Sequence, residues 1–281
     1  IPHEHPTLPS LLADGGYATA MFGKWHCGWL PWFSPIRAGF QRFYGCLDGA
    51  IDYFEHLNTL GEHDLWEGET EVDEVGYFTD MVARESAAYI RDAGDEPIYV
   101  QVNFTAPHWP WEGPGDADIG ARIRREYAEL ETVTSDPLCD FHSGSLAKYG
   151  EMVEAMDAAI GEVFAAIEQR GRADDTLIVF SSDNGGERWA KNWPFVGEKG
   201  DPPRAASGCR SSCAGGPPST VPRSATARTS RWTGRRRCST RPASMPTPTI
   251  RSTVRASCRS SSRAPTTRIT TCAGAPRTRS R

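Results

Sequence analysis

Two absences divide this 281-residue chain. Residues 201–281 contain no Lys, Glu, Leu, Phe, Tyr, His, Asn or Gln and one acid, Asp201, beside seventeen Arg. A stretch without Leu or Phe cannot bury enough apolar surface to offset its ordering entropy, which excludes a packed core there and predicts a disordered or badly packed tail. The first 200 residues are poor in basic side chains relative to acidic ones instead. The chain's net charge is −5, and setting aside the tail's +16 leaves −21 on this front part. Such an acidic body excludes nucleic acid and anionic membranes as partners of the folded part, and it would suit a high-salt medium. Cysteine is scarce here too. Cys27, Cys46 and Cys139 make no even-numbered disulfide framework and fit reduced thiols, favouring a compartment such as the cytoplasm. No apolar run reaches membrane-spanning length. No Met and no signal peptide precede Ile1, so the sequence reads as a fragment whose compartment stays open, a signal peptide included.

What is present is an alternation of helix and strand over residues 1–200. Thr7 as N-cap, Pro9 in the first turn and Gly15–Gly16 as a stop predict a short helix, and "YATAMF" (17–22) a strand. Val72, Val75, Phe78, Val82 and Ile90 predict a helix within 72–92, and Leu146 through Ile167 a long one over about 145–169. "PIYVQVNF" (97–104) and "DTLIVFSS" (175–182) read as buried strands. This order predicts an α/β fold with a largely parallel central sheet flanked by helices. In such sheets the chemistry lies beyond the carboxyl ends of the strands.

Four segments place reactive side chains at such ends. In "GYATAMFGKWHCGW" (16–29), Lys24 and His26 follow a strand at a glycine. In "NFTAPHWPW" (103–111), His108 sits in a proline-stiffened loop suited to acid–base work, or packs among tryptophans. In "VFSSDNGG" (179–186), Asp183 and Asn184 offer adjacent hard oxygens for Ca²⁺ or Mg²⁺, though an Asp-Asn-Gly turn uses the same residues. "GEKG" (197–200) presents Lys199 on a glycine-flanked loop. Each segment has an ordinary structural explanation when taken singly.

In this order and spacing the four resemble the sulfatase family of the alkaline-phosphatase-like superfamily. "GYATAMFGKWH" resembles the family's second signature, departing at Phe22, where a smaller residue is usual; "GFQRFYG" (39–45) resembles a recurring non-catalytic stretch. The resemblance covers residues 1–200. It implies that Asp183 and Asn184 ligate a divalent cation, usually Ca²⁺, with Mg²⁺ the alternative. It implies that Lys24 and Lys199 neutralise charge on a transferring sulfate. His108, with Lys199, would stabilise or protonate the leaving alkoxide, and His26 would act as base on the nucleophile. The implied partner is a small-molecule or carbohydrate sulfate ester. Trp25, Trp29, Trp109 and Trp111 would form an aromatic platform for it or pack in the core.

The family's nucleophile is a formylglycine made in a Cys-x-Pro-x-Arg segment, and no cysteine of this chain has those neighbours. The chain is therefore expected not to turn over substrate. Sulfatases typically continue the lysine loop with Glu-Gly-Gly-Ile-Arg-Val-Pro and an apolar strand. One back-translation of Arg204–Gly215, read one frame over, yields GGIRVPFVVRW; the same offset turns 232–243 into DWTATLLDAAG and 252–257 into VDGSSL. The reading is a partial catalytic domain, 1–200, followed by an out-of-frame tail, 201–281. Two alternatives remain: a phosphodiester or phosphonate hydrolase of the same superfamily, and a non-catalytic remnant whose basic arm binds nucleic acid.

Overall fold

The computed structural model describes residues 5–130, 137–138, 143–192, 199 and 211–214. The elements are, in chain order, α1 (Leu8–Asp14), β1 (Ala18–Gly23), β2 (Arg42–Gly45), β3 (Trp66–Glu67), β4 (Thr70–Glu71), α2 (Phe78–Asp92), β5 (Ile98–Asn103), α3 (Ala117–Glu129), α4 (Leu146–Gln169), β6 (Ile178–Ser181) and β7 (Ser211–Ala214). Helix α1 starts as its sequence demands. The Thr7 hydroxyl accepts the Ser10 N–H at 3.2 Å, and the Ser10 hydroxyl lies 3.0 Å from the Thr7 N–H, which donates to it, so two orphan donors are satisfied reciprocally. Ser145 caps α4 more simply, its hydroxyl accepting the Lys148 N–H at 3.1 Å.

The main sheet has the order β4-β3-β2-β1-β5. β2, β1 and β5 run parallel, with Met21 beside Phe43 and Gln101; β3 and β4 add an antiparallel edge. Side-chain alternation sends successive residues to opposite faces. Ala20, Phe22 and Tyr44 join a core with Tyr53, Phe78, Met81, Val82 and Met152, while Met21 and Phe43 pack on the other face with Phe40 and Leu47. Ala87 and Ile90 of α2 meet Val163 and Ala166 of α4 over Ile98 and Val100 of β5. The parallel sheet flanked by helices thus matches the fold expected from the alternating pattern.

Three local expectations need correction. The helix expected within 72–92 begins only at Phe78, because Val72 donates its N–H to the Leu65 carbonyl at 2.9 Å and Val75 stands 93% exposed. β5 is half-buried rather than fully buried; its one strand neighbour among the described residues is β1. β6 lies outside the main sheet, paired antiparallel with β7, and leaves Val179 60% and Phe180 50% exposed.

Within the stretch expected to be disordered, the backbone of 211–214 forms β7, since ladder hydrogen bonds require no particular side chain. The remainder of that expectation concerns residues outside those described. Among the described residues, no helix is long and apolar enough to cross a membrane.

Candidate active site

Glycine brings the carboxyl ends of the three parallel strands together. Gly23, Gly45 and their neighbour Asn103 meet so closely that a Cβ on Gly23 would overlap the Asn103 carbonyl and one on Gly45 the Gly23 backbone. Both glycines have positive φ, 98° and 151°, at points of close backbone approach. The chain leaving β1 is then held from both sides. Lys24 donates its N–H to the Asn103 carbonyl at 3.0 Å, and Asn103 Nδ2 donates to the Lys24 carbonyl at 2.9 Å. Trp25 and His26 donate their N–H groups to the Cys46 and Leu47 carbonyls at 2.9 and 3.1 Å.

His26 adopts a left-handed backbone (φ 50°), and its imidazole lies against Gly49, where a Cβ would come within 2.5 Å of Nε2. His108 follows β5 by five residues, and both prolines flanking its loop follow cis peptide bonds. Its Nδ1 lies 2.7 Å from the Trp109 carbonyl. A carbonyl only accepts, so Nδ1 carries the proton and Nε2 is left for other chemistry. The Tyr53 hydroxyl donates to the His108 carbonyl at 3.0 Å. Lys199 donates its backbone N–H to the Gly186 carbonyl at 3.2 Å, tying the lysine loop to the segment after Asp183–Asn184.

Three of the six residues singled out in the sequence, Lys24, His26 and His108, feel the charges of two others, Lys199 and Asp183. Burial pushes Lys24 down, and the positive charge of Lys199 adds to this against Asp183 and Asp48. Burial also lowers His26, with Lys24 and Lys199 adding to it and Asp48 and Asp183 opposing. His108 is pushed down to about 4 by burial first, then by Lys199 and Lys24, against Asp183. Segments up to 175 positions apart (Lys24 to Lys199) therefore share one electrostatic neighbourhood, in which burial and the two lysines push both imidazoles towards the uncharged form.

The sixth residue is Asn184, adjacent to Asp183. Asp183 is exposed and accepts the Asn184 N–H at 2.8 Å; Asn184 Nδ2 donates to the Gly185 carbonyl at 2.9 Å. Their oxygens have the hardness that Ca²⁺ or Mg²⁺ prefers, but two ligands are fewer than Ca²⁺ requires. Among the described residues no group of three or more His, Cys, Asp or Glu could hold a metal ion.

Sequence reasoning missed Asp48, whose charge acts on both Lys24 and His26. It stands three residues past β2, fixed by the Thr59 N–H at 3.0 Å and the Thr59 hydroxyl at 2.5 Å. Its signal was present, an Asp-Gly pair just beyond a strand, but a turn explains that pair equally well. The tryptophans divide. Trp111 is buried in the core, Trp109 packs beside the His108 ring at 4.4 Å, Trp25 donates Nε1–H to the Phe33 carbonyl, and Trp29 is exposed.

Lys24, Lys199 and two imidazoles pushed towards their uncharged form thus gather beyond the carboxyl edge of a parallel α/β sheet, where such folds place their chemistry. The sulfatase family profile matches residues 1–206, and the chain belongs to that family. Arylsulfatase J of Mus musculus is 29% identical over 211 residues, covering 71% of this chain and 32% of its own length. The arylsulfatase of Klebsiella aerogenes is 28% identical over 218 residues, covering 64% and 47%. The chain thus spans less than half the length of either relative. The crystal structure of Ps i-CgsB superposes with a TM-score of 0.61 at 26% identity, over 79% of this chain and 49% of that one. The same figures hold for Ps i-CgsB in complex with k-i-k-neocarrahexaose. The sheet is accordingly that of the alkaline-phosphatase-like fold.

Proposed function

We propose that these residues form the charge-stabilising part of a sulfatase active site acting on sulfate monoesters of small molecules or carbohydrates. The observation that carries this reading is the convergence of Lys24, His26, His108, Asp183 and Lys199, with Lys199 and Asp183 acting on Lys24 and all three charges acting on both imidazoles. The two lysines hold the sulfate oxygens and neutralise charge that builds up as sulfur–oxygen bonding changes, an effect enlarged where burial excludes water. His108 is uncharged in the free protein, with Nε2 as its open nitrogen. An arriving sulfate offsets the two lysines and raises the affinity of that nitrogen for a proton, which it then delivers to the leaving alkoxide. His26 accepts a proton from the nucleophile's hydroxyl.

Asp183 and Asn184 would contribute to holding a divalent cation, with Ca²⁺ the expected ion and Mg²⁺ the alternative. When bound, such a cation polarises sulfate oxygens and the nucleophile. The family's formylglycine requires a Cys-x-Pro-x-Arg segment, which these 281 residues do not contain. They are therefore expected to bind a sulfate ester without hydrolysing it.

Titration of the full chain with an aryl sulfate, followed by ring-proton NMR of His26 and His108, tests the reading. Both resonances should move, and the His108 titration midpoint should rise with the sulfate bound. Unchanged resonances at saturating ester would remove the proposal. A phosphodiester that shifted them where the sulfate did not would favour the phosphoryl-transfer alternative.

A further inference from the structure

Glu112 and Asp52 are both fully buried and make one arrangement that the proposed chemistry does not use. Asp52 Oδ1 accepts the Phe54 and Glu55 N–H groups at 2.9 and 2.5 Å, and Glu112 Oε2 accepts the Tyr53 N–H at 2.8 Å. Their other oxygens, Asp52 Oδ2 and Glu112 Oε1, are buried, and no described residue offers either an N–H or O–H. The Tyr53 N–H holds the Glu112 carboxyl at the residue next to Asp52, whose own carboxyl acts on it both by its charge and as a hydrogen-bonding group. Two bare carboxylates in that arrangement would repel at low dielectric, each leaving an oxygen unsatisfied.

We propose that Glu112 and Asp52 share one proton, forming a buried carboxylic acid–carboxylate pair that positions the loop carrying His108. A single proton held between the two carboxyl groups supplies the donor that their unpartnered oxygens lack and removes one of the two charges. The pair stands where two segments are stitched together. Tyr53 donates its hydroxyl to the His108 carbonyl, and Tyr77 donates its hydroxyl to the Glu112 carbonyl at 2.9 Å. Helix α3 closes the site, since a Cβ on Gly120 would stand 2.9 Å from Asp52 Oδ1.

No charge nearby favours a second anion. Asp116 adds negative potential, and its own partner is Lys148 at 2.6 Å, which also pairs with Glu151. Glu55 is paired with Arg124. His56, beside Asp52, is pushed down by burial and so stays uncharged at neutral pH, 3.2 Å from the Gly76 carbonyl. Burial, then the Asp52 charge, pushes Glu112 up to about 10. The pairing rests on packing and does not depend on the sulfatase reading, to which it adds a positioning residue for His108.

The test compares the full chain with Glu112→Gln and Glu112→Ala. At about pH 8, where an ordinary Glu is ionised, the wild type should show the infrared C=O band of a protonated carboxylic acid, absent from Glu112→Gln. Because folded Glu112 keeps a proton that the unfolded chain releases, the wild-type unfolding constant should rise with pH by up to ~tenfold per pH unit relative to Glu112→Gln. The amide donates and accepts in the same places, so the Gln variant should keep the wild-type His108 ring resonance while the Ala variant displaces it. An ionised pair in the infrared, or parallel pH dependences for wild type and Glu112→Gln, would overturn the proposal. If a variant fails to fold, the infrared spectrum of the wild type still decides.

Discussion

Gly23 closes β1 directly beside Asn103, the last residue of β5, and the Asn103 carbonyl fills the space a Cβ on Gly23 would need. The same carbonyl receives the Lys24 N–H, so the requirement for glycine and the placement of the first lysine are one constraint. Gly23→Ala should destabilise the fold by at least about 3 kcal/mol, combining overpacking with a backbone conformation unsuited to Ala. Urea denaturation measures it. A loss below about 1 kcal/mol would show that the strand ends can move apart.

Lys199 should control the protonation of His108. Its positive charge helps hold the imidazole at about 4, so Lys199→Ala should raise the midpoint towards the ordinary histidine value. The folded imidazole resists protonation while the unfolded one accepts it near 6.5. His108 therefore opposes folding progressively as pH falls from about 6.5 to about 4, and the alanine variant should relieve part of that loss. Ring-proton NMR against pH reads the midpoint directly; an unmoved midpoint would separate Lys199 from the site.

Gly49 makes room for His26. Gly49→Ala would place a methyl 2.5 Å from Nε2, so the ring must leave its position. The expected result is a shifted His26 resonance and weaker binding of an aryl sulfate, with a modest stability cost of about 1–2 kcal/mol. Retention of the wild-type His26 resonance would contradict the packing.

Asp64 organises the turn that presents Asp48. Fully buried, it accepts the Leu47 and Asp48 N–H groups and the Trp66 Nε1–H at 2.7 Å. Burial nevertheless pushes it up to about 6, outweighing those three donors. Its folded value lies above its unfolded one, so its contribution is fully present below about pH 4 and is lost as pH rises through about 6. Asp64→Asn should abolish that portion of the pH dependence and cost about 1–3 kcal/mol above about pH 6, because the amide offers one accepting oxygen where the carboxylate offers two. Chemical denaturation at several pH values checks both.

We propose that the reading frame changes between Lys199 and Pro203. Sequencing the gene across those codons should reveal a gained or lost base whose correction yields Gly-Gly-Ile-Arg-Val-Pro after the lysine loop. A confirmed read would instead make 201–281 a genuine basic stretch. Salt-dependent retention on nucleic acid, lost on cutting after Gly200, would then identify it as a binding arm.

Short-range rules made much of this chain legible. The Thr7 cap, the strand before Gly23 and the three-and-four rhythm of α4 all belong to single segments, and each formed as local chemistry prescribes. The four motif segments were likewise readable, because each concentrates unusual residues within a few positions. Val72 and Val75 misled because apolar spacing continued past a backbone already committed to the β3–β4 edge. β6 misled because apolar composition cannot reveal which strand will cover it.

The order of residues thus settled α1, β1, β5 and α4, the acidic body, the contrasting tail and the four segments singled out for chemistry. Folding alone decided that Lys24, His26, His108, Asp183 and Lys199 share one field, that Asp48 belongs with them, and that Glu112 meets Asp52. The reason is physical. Propensity and capping act over a few residues, whereas burial and charge coupling depend on distance through space between segments that no local pattern connects.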